Sequence, residues 1–178
     1  MAGRLVILRG YPGSGKSTFT NELIHRDSST VIVSLDDIRV AMAGSKLRWH
    51  NMCDKGDRRR QLENIIVRLA HDARSRFLDL GFTVISDATH LNQRSIVEEL
   101  DQAERHDADA TVVCIGENLA LGELKDRNLN RDADDRLPVE VLESMWSRNH
   151  GLDVFSHRSI RSTAGIVYPV LSSIDLMP

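Results

Sequence analysis

The chain has 178 residues, which suits one domain around one sizeable core. Its 41% hydrophobic and 28% charged residues are ordinary for a soluble globular protein, and no apolar run approaches the ~18 residues of a membrane span. A net charge of −3 and 4% aromatic residues argue against a broad basic face or a base-stacking platform. A few local arginines still suffice to grip one or two phosphates.

The first residues carry one basic side chain and a short apolar stretch, then meet a glycine loop. They read as a strand at Leu5–Leu8 and not as a signal peptide. A helix follows from Lys16 to about Arg26, with Phe19, Leu23 and Ile24 inward. Val31–Val33, β-branched and bounded by serines, is the second strand. A short helix is expected from Asp36 to about Ala43, and residues 44–56 read as a loop. The longest helix is expected over Asp57–Leu80, with Leu62, Ile65, Ile66, Leu69, Ala73, Phe77 and Leu80 on the helical period and Gly81 as its stop.

Phe82–Ile85 is the third strand, and Asn92 to about His106 a helix carrying Ile96, Val97, Leu100 and Ala103. Thr111–Ile115 is the fourth strand, preceded by a turn at 107–110. Helix resumes from about Leu119 to Asn130. A polar stretch, Arg131–Arg136, leads to Pro138 and a helix with Val141, Leu142, Met145 and Trp146 on one face. The last 28 or so residues show no period and remain unassigned. Strands alternating with helices predict a single-domain α/β fold, a mostly parallel sheet of four or five strands flanked by helices with a helical lid. Cys53 and Cys114 have neither metal nor redox spacing and read as free thiols of a reducing cytoplasm.

Gly10-Tyr11-Pro12-Gly13-Ser14-Gly15-Lys16-Ser17 fits G-x-x-x-x-G-K-[ST] in full, between an apolar strand and a helical pattern. Its glycines let successive backbone N–H groups curl around phosphate oxygens, and the helix N-terminus adds a favourable partial charge. Gly13, Ser14, Gly15, Lys16, Ser17 and Thr18 are therefore expected to cradle the phosphates of ATP or another NTP. Lys16 would reach the β- and γ-phosphates, and the Ser17 hydroxyl would ligate Mg²⁺.

The second and third strands each run into acid: Asp36-Asp37-Ile38-Arg39 and Asp87-Ala88-Thr89-His90. Ligands of parallel α/β sheets bind beyond the carboxyl ends of the strands, so Asp36 and Asp87 should both face the γ-phosphate. Asp36 suits a general base and shares a helical face with Arg39, a phosphate-gripping guanidinium. Equally, Asp36 could cap its helix, as could Asp37. Arg127 and Arg131, four apart on an expected helix, could neutralise a moving phosphoryl group or simply pair with nearby aspartates.

Together, Gly10–Thr18, the Asp36–Arg39 step, Asp87-Ala88-Thr89-His90-Leu91-Asn92, and Arg127-Asn128-Leu129-Asn130-Arg131 followed by Pro138–Leu142 resemble the kinase domain of bacteriophage 5′-hydroxyl polynucleotide kinases, over about residues 4–150. The resemblance implies a kinase acting on 5′-hydroxyl ends of DNA or RNA in nucleic-acid repair. It implies Asp36 as general base, Arg39 on the acceptor's first phosphate, Asp87 supporting the acceptor end or orienting Arg39, and Arg127 and Arg131 on a lid over the donor. His90 stands where the family often has Asn and reads as a solvent-facing loop residue. The alternatives are a small-molecule kinase acting on a sugar, nucleoside or antibiotic hydroxyl, and a nucleotide-binding regulatory module. A homo-oligomer is left open, and no membrane partner is expected.

Overall fold

A computed structural model describes residues 2–52, 56–149 and 159–173. The first strand, β1 (Arg4–Arg9), is apolar from Leu5 to Leu8 because both faces of that stretch are covered. Leu5 and Ile7 join one core with Ile96, Leu100 and Ala103, while Val6 and Leu8 join a second with Phe19, Ile85 and Val113. Helix α1 (Lys16–Arg26) supplies Phe19 to the second core.

The strand β2 (Thr30–Ser34) leads directly into α2 (Leu35–Ala43). Ser34 caps that helix, its hydroxyl accepting from the Asp37 N–H at 3.1 Å. The cap is thus neither Asp36 nor Asp37, and both carboxylates stand in the first turn. Residues 46–51, expected as loop, form the short helix α3 (Lys46–Asn51), capped by Ser45. It is anchored by Trp49, which is buried against Ala43 and Ile66. Six residues of mixed polarity give too little periodicity to show this beforehand.

Helix α4 (Asp57–Asp79) buries Ile66, Ala70 and Leu78, with Leu62, Ala73 and Phe77 partly covered. Ile65, Leu69 and Leu80, read as inward, are exposed instead, so the buried stripe is narrower than the run of apolar residues suggested. Gly81 ends this helix with φ 80, as expected. Then follow β3 (Thr83–Asp87), α5 (Gln93–Arg105, capped by Asn92), β4 (Asp109–Cys114), α6 (Leu121–Leu129), a 3₁₀ turn at Ala133–Asp135 and α7 (Val139–Asn149).

Among the described residues the sheet has six strands in the order β2-β3-β1-β4-β6-β5, with β5 (Ser159–Arg161) and β6 (Val167–Ser172) from the tail the sequence left unassigned. Only β5 runs antiparallel, so the sheet is mostly parallel and larger than the four or five strands expected. Helices α4 and α5 pack on one face and α1 on the other. Leu124, Leu142, Tyr11 and Leu91 form a separate cluster that docks α6 and α7 beside the glycine loop. Cys114 is a buried free thiol, whereas Cys53 lies outside the described residues. Among the described residues no helix is long and apolar enough to cross a membrane.

Candidate active site

The glycine loop joins β1 to α1 and curls through two left-handed glycines, Gly13 at φ 87 and Gly15 at φ 105. A side chain at Gly10 would put its Cβ 2.6 Å from the Ile115 carbonyl oxygen, so that position is closed to anything larger. The Gly10 N–H donates to the Thr89 carbonyl at 3.0 Å, tying the loop to the segment after β3. The Lys16 ammonium donates to the carbonyls of Gly10 at 2.9 Å and Tyr11 at 3.0 Å. Burial lowers its pKa to about 8, against the pull of Asp87 and Asp36.

Two cavities meet at Lys16. One, of about 250 Å³, is lined by Gly13, Gly15, Lys16, Ser17, Thr18, Arg127 and Arg131. The other, of about 400 Å³, has Lys16, Asp36, Arg39, Asp87 and Arg131 on its wall. By the roles that a P-loop kinase would give them, the first is termed the donor cavity and the second the acceptor cavity. A wider cleft of about 860 Å³ shares Ala88, Thr89 and Arg148 with the second cavity. It contains none of Lys16, Asp36 and Arg39.

Arg39 is held on two sides. Its Nη1 donates to Asp36 at 2.7 Å, and its Nη2 and Nε donate to Glu63 at 2.8 and 3.3 Å. Burial opposes its charge, but Glu63 and Asp36 more than offset this and leave its pKa raised. Glu63 also accepts from the Trp49 indole at 3.3 Å, so α3 and α4 jointly fix the guanidinium. Sequence reasoning missed Glu63, since no motif surrounds it. Its only signal is a carboxylate beside the inward Leu62 and Ile66 of a long helix. Asp87 does not orient Arg39, whose acidic partners are Asp36 and Glu63. Asp87 faces Lys16 instead; burial raises its pKa and Lys16 opposes the rise.

The expectation that Arg127 and Arg131 share a helical face is not met. Helix α6 ends at Leu129, and Arg131 lies in the turn beyond it. Both still reach the donor cavity, and Arg127 donates to the Gly13 carbonyl at 3.3 Å. Asn128 accepts from the Leu137 N–H at 3.0 Å and donates to its carbonyl at 2.8 Å, pinning the polar stretch between α6 and α7. Opposite, the Lys46 ammonium lies 3.8 Å from Asp36 and 4.0 Å from Asp135, which brings α3 and the 3₁₀ turn together over the acceptor cavity.

His90 is not a solvent-facing residue. It is buried, at φ 43, with Nδ1 2.6 Å from the Leu8 carbonyl and Nε2 3.1 Å from Glu99. His90 thereby ties the end of β1 to α5. Glu99 also pairs with Arg74 at 3.1 Å. This network locks the strand end that carries Asp87.

A strand, a glycine loop with its lysine at a helix N-terminus, and acids at the next strand ends define a P-loop protein of kinase type, built to bind a nucleotide such as ATP. A family profile described as "AAA domain" matches residues 5–151, and the chain belongs to that family. No curated protein matches the chain.

Among solved structures, a chain of the Pnkp1/Rnl/Hen1 RNA repair complex is 25% identical, with a TM-score of 0.65 over 85% of this chain and 45% of the other. A chain from another structure of a Pnkp1/Rnl/Hen1 complex is 27% identical, with a TM-score of 0.59 over 77% and 41%. Our chain thus spans less than half the length of either. Kti12 of Chaetomium thermophilum, solved with ADP-AlF3, shares the fold at 14% identity, with a TM-score of 0.61 over 94% of this chain and 87% of that one.

Proposed function

We propose that the protein transfers the γ-phosphate of ATP, or another NTP, to the 5′-hydroxyl end of a DNA or RNA strand in nucleic-acid repair. The carrying observation is the pairing of Arg39 with Asp36 at 2.7 Å in the cavity that also holds Lys16 and Asp87. In this reading the 5′-oxygen attacks the γ-phosphorus, its proton passes to Asp36, and the bond to the β–γ bridging oxygen breaks to release ADP. Lys16 leaves the loop carbonyls for the β- and γ-phosphates. Arg127 and Arg131 approach the donor from α6 and the turn after it, offsetting charge on the transferred group. Arg39 grips the acceptor's first phosphate while Glu63 keeps its other edge fixed.

The donor set suits Mg²⁺. Among the described residues no cluster of three potential ligands could hold a metal unaided. The Ser17 hydroxyl and the Asp87 carboxylate offer two oxygens on one wall, and Mg²⁺ commonly takes the rest from phosphates and water. Bound there with the nucleotide, it would neutralise charge on the phosphates.

One observation favours a small-molecule acceptor instead. Arg39 already satisfies two carboxylates, as a site for a neutral hydroxyl compound would leave it. Asp36→Ala separates catalysis from binding: transfer should fall about 10²–10⁴-fold while ATP binding holds. Full activity in the purified, folded variant would remove Asp36 from its role.

A further inference from the structure

Among the cationic side chains that line the acceptor cavity, Arg59 is one that neither the glycine loop nor the strand-end motifs use. Arg59 lies on α4 four residues before Glu63, about 6 Å along the same face of the helix. Like Glu63 and Arg39, it lines the acceptor cavity. Arg39, Lys46 and Arg59 differ in their partners. Arg39 faces two carboxylates and Lys46 faces Asp36 and Asp135.

Among the described residues, Arg59 has no carboxylate within ion-pair distance. Its Nη2 donates instead to Nδ1 of His50, at 3.3 Å, across the gap between α3 and α4. A ring nitrogen that accepts from a guanidinium carries no proton, so the His50 proton sits on Nε2 as a further donor. Burial, with Arg59 acting in the same direction, lowers the His50 pKa and favours that neutral form. The pair therefore offers donors and one uncompensated positive charge, a setting for an anion.

The geometry points to Arg59 and His50 as a subsite for the second phosphate of the acceptor strand. It rests on the polynucleotide reading above. One turn of α4 separates the Arg39–Glu63 contact from Arg59, a step comparable to that between consecutive phosphates of an extended strand. A strand whose 5′-hydroxyl meets Asp36 and whose first phosphate meets Arg39 would lay its second phosphate along α4, between the two helices. Specificity for a strand over a lone nucleotide would then come from this pair.

The test compares acceptors that differ by one phosphate at saturating ATP: a nucleoside 3′-monophosphate, and a dinucleotide bearing a 3′-phosphate. The wild-type protein should use the dinucleotide about tenfold better, through KM. In Arg59→Ala that preference should fall to about one, and Arg59→Lys should restore part of it. A second measurement needs no variant. The logarithm of KM for the dinucleotide should rise more steeply with the logarithm of salt concentration, by about 0.7 for the added single-strand phosphate contact.

If the wild type phosphorylates both acceptors equally well, or if Arg59→Ala keeps the preference, the subsite is refuted while the kinase reading stands. If neither nucleotide is phosphorylated and sugars or plain nucleosides are, the polynucleotide reading fails and the subsite falls with it.

Discussion

At Lys16, burial works against the charge that a phosphate would need. Buried beneath the loop, Lys16 has a pKa of about 8 and spends its protons on two backbone carbonyls. A triphosphate would bring negative charge to it and raise that pKa again. At pH 8.5, where much of the free lysine is neutral, ATP binding should therefore take up a fraction of a proton from solution. Calorimetry in two buffers of different ionisation enthalpy measures this directly. Uptake should be present in the wild type, fade by pH 6.5 and vanish in Lys16→Arg; equal uptake in the variant would assign the proton elsewhere.

At Glu99 the neighbouring charges, and not burial, prevail. Burial alone would raise its pKa, but His90 and Arg74 outweigh that and lower it to about 2, from an ordinary value of 4.5. A carboxylate depressed on folding contributes stability above its unfolded pKa and loses it as pH falls through the folded value. Wild-type stability should thus decline between about pH 4.5 and 2. Glu99→Gln should start less stable, since Arg74 loses its counter-charge in the interior, but should lack this component. Urea unfolding across that range decides it, and parallel curves for the two proteins would show that Glu99 does not titrate as argued.

At the scale of elements, the segment between α6 and α7 has little packing of its own. A buried side chain, Asn128, ties it down through two bonds to the Leu137 backbone. Replacing Asn128 with alanine would leave that N–H and carbonyl without partners, at a cost of about 1–3 kcal/mol. The same loss would loosen Arg131, whose N–H bonds the Asn128 carbonyl, and Asp135, which meets Lys46. Asn128→Ala should therefore lower turnover as well as melting temperature, and Asn128→Asp should keep the acceptor bond but not the donor. A variant that melts early yet turns over normally would separate this segment from the site.

For the whole molecule, the sequence carried what depends on repetition or on a motif. The glycine loop, the apolar strands covered on both faces and the Gly81 stop all declare themselves locally. The two tail strands escaped because they are short, and three residues of β5 carry no readable alternation. Helix α3 escaped because one tryptophan holds it. The acids at the ends of β2 and β3 were legible because parallel topology sends every strand end to one edge. Glu63 and Arg59 were not, since they reach the same cavity from α4, whose packing has no local signature there. His90 misled for a related reason: a polar residue in a turn looks exposed until its buried partners, Leu8 and Glu99, are known.

The account turns on what accepts the phosphate. The most direct measurement is transfer of labelled γ-phosphate from ATP with Mg²⁺ to a 5′-hydroxyl oligonucleotide, run beside a plain nucleoside, a nucleoside 3′-phosphate and a set of sugars. Arg39 beside Asp36 predicts label on the oligonucleotide and the nucleoside 3′-phosphate. The plain nucleoside should be worse by ~1.5–3 kcal/mol in kcat/KM, the worth of the charged hydrogen bonds to the missing phosphate. Label on sugars or plain nucleosides equal to that on the oligonucleotide would contradict the account and make the protein a small-molecule kinase.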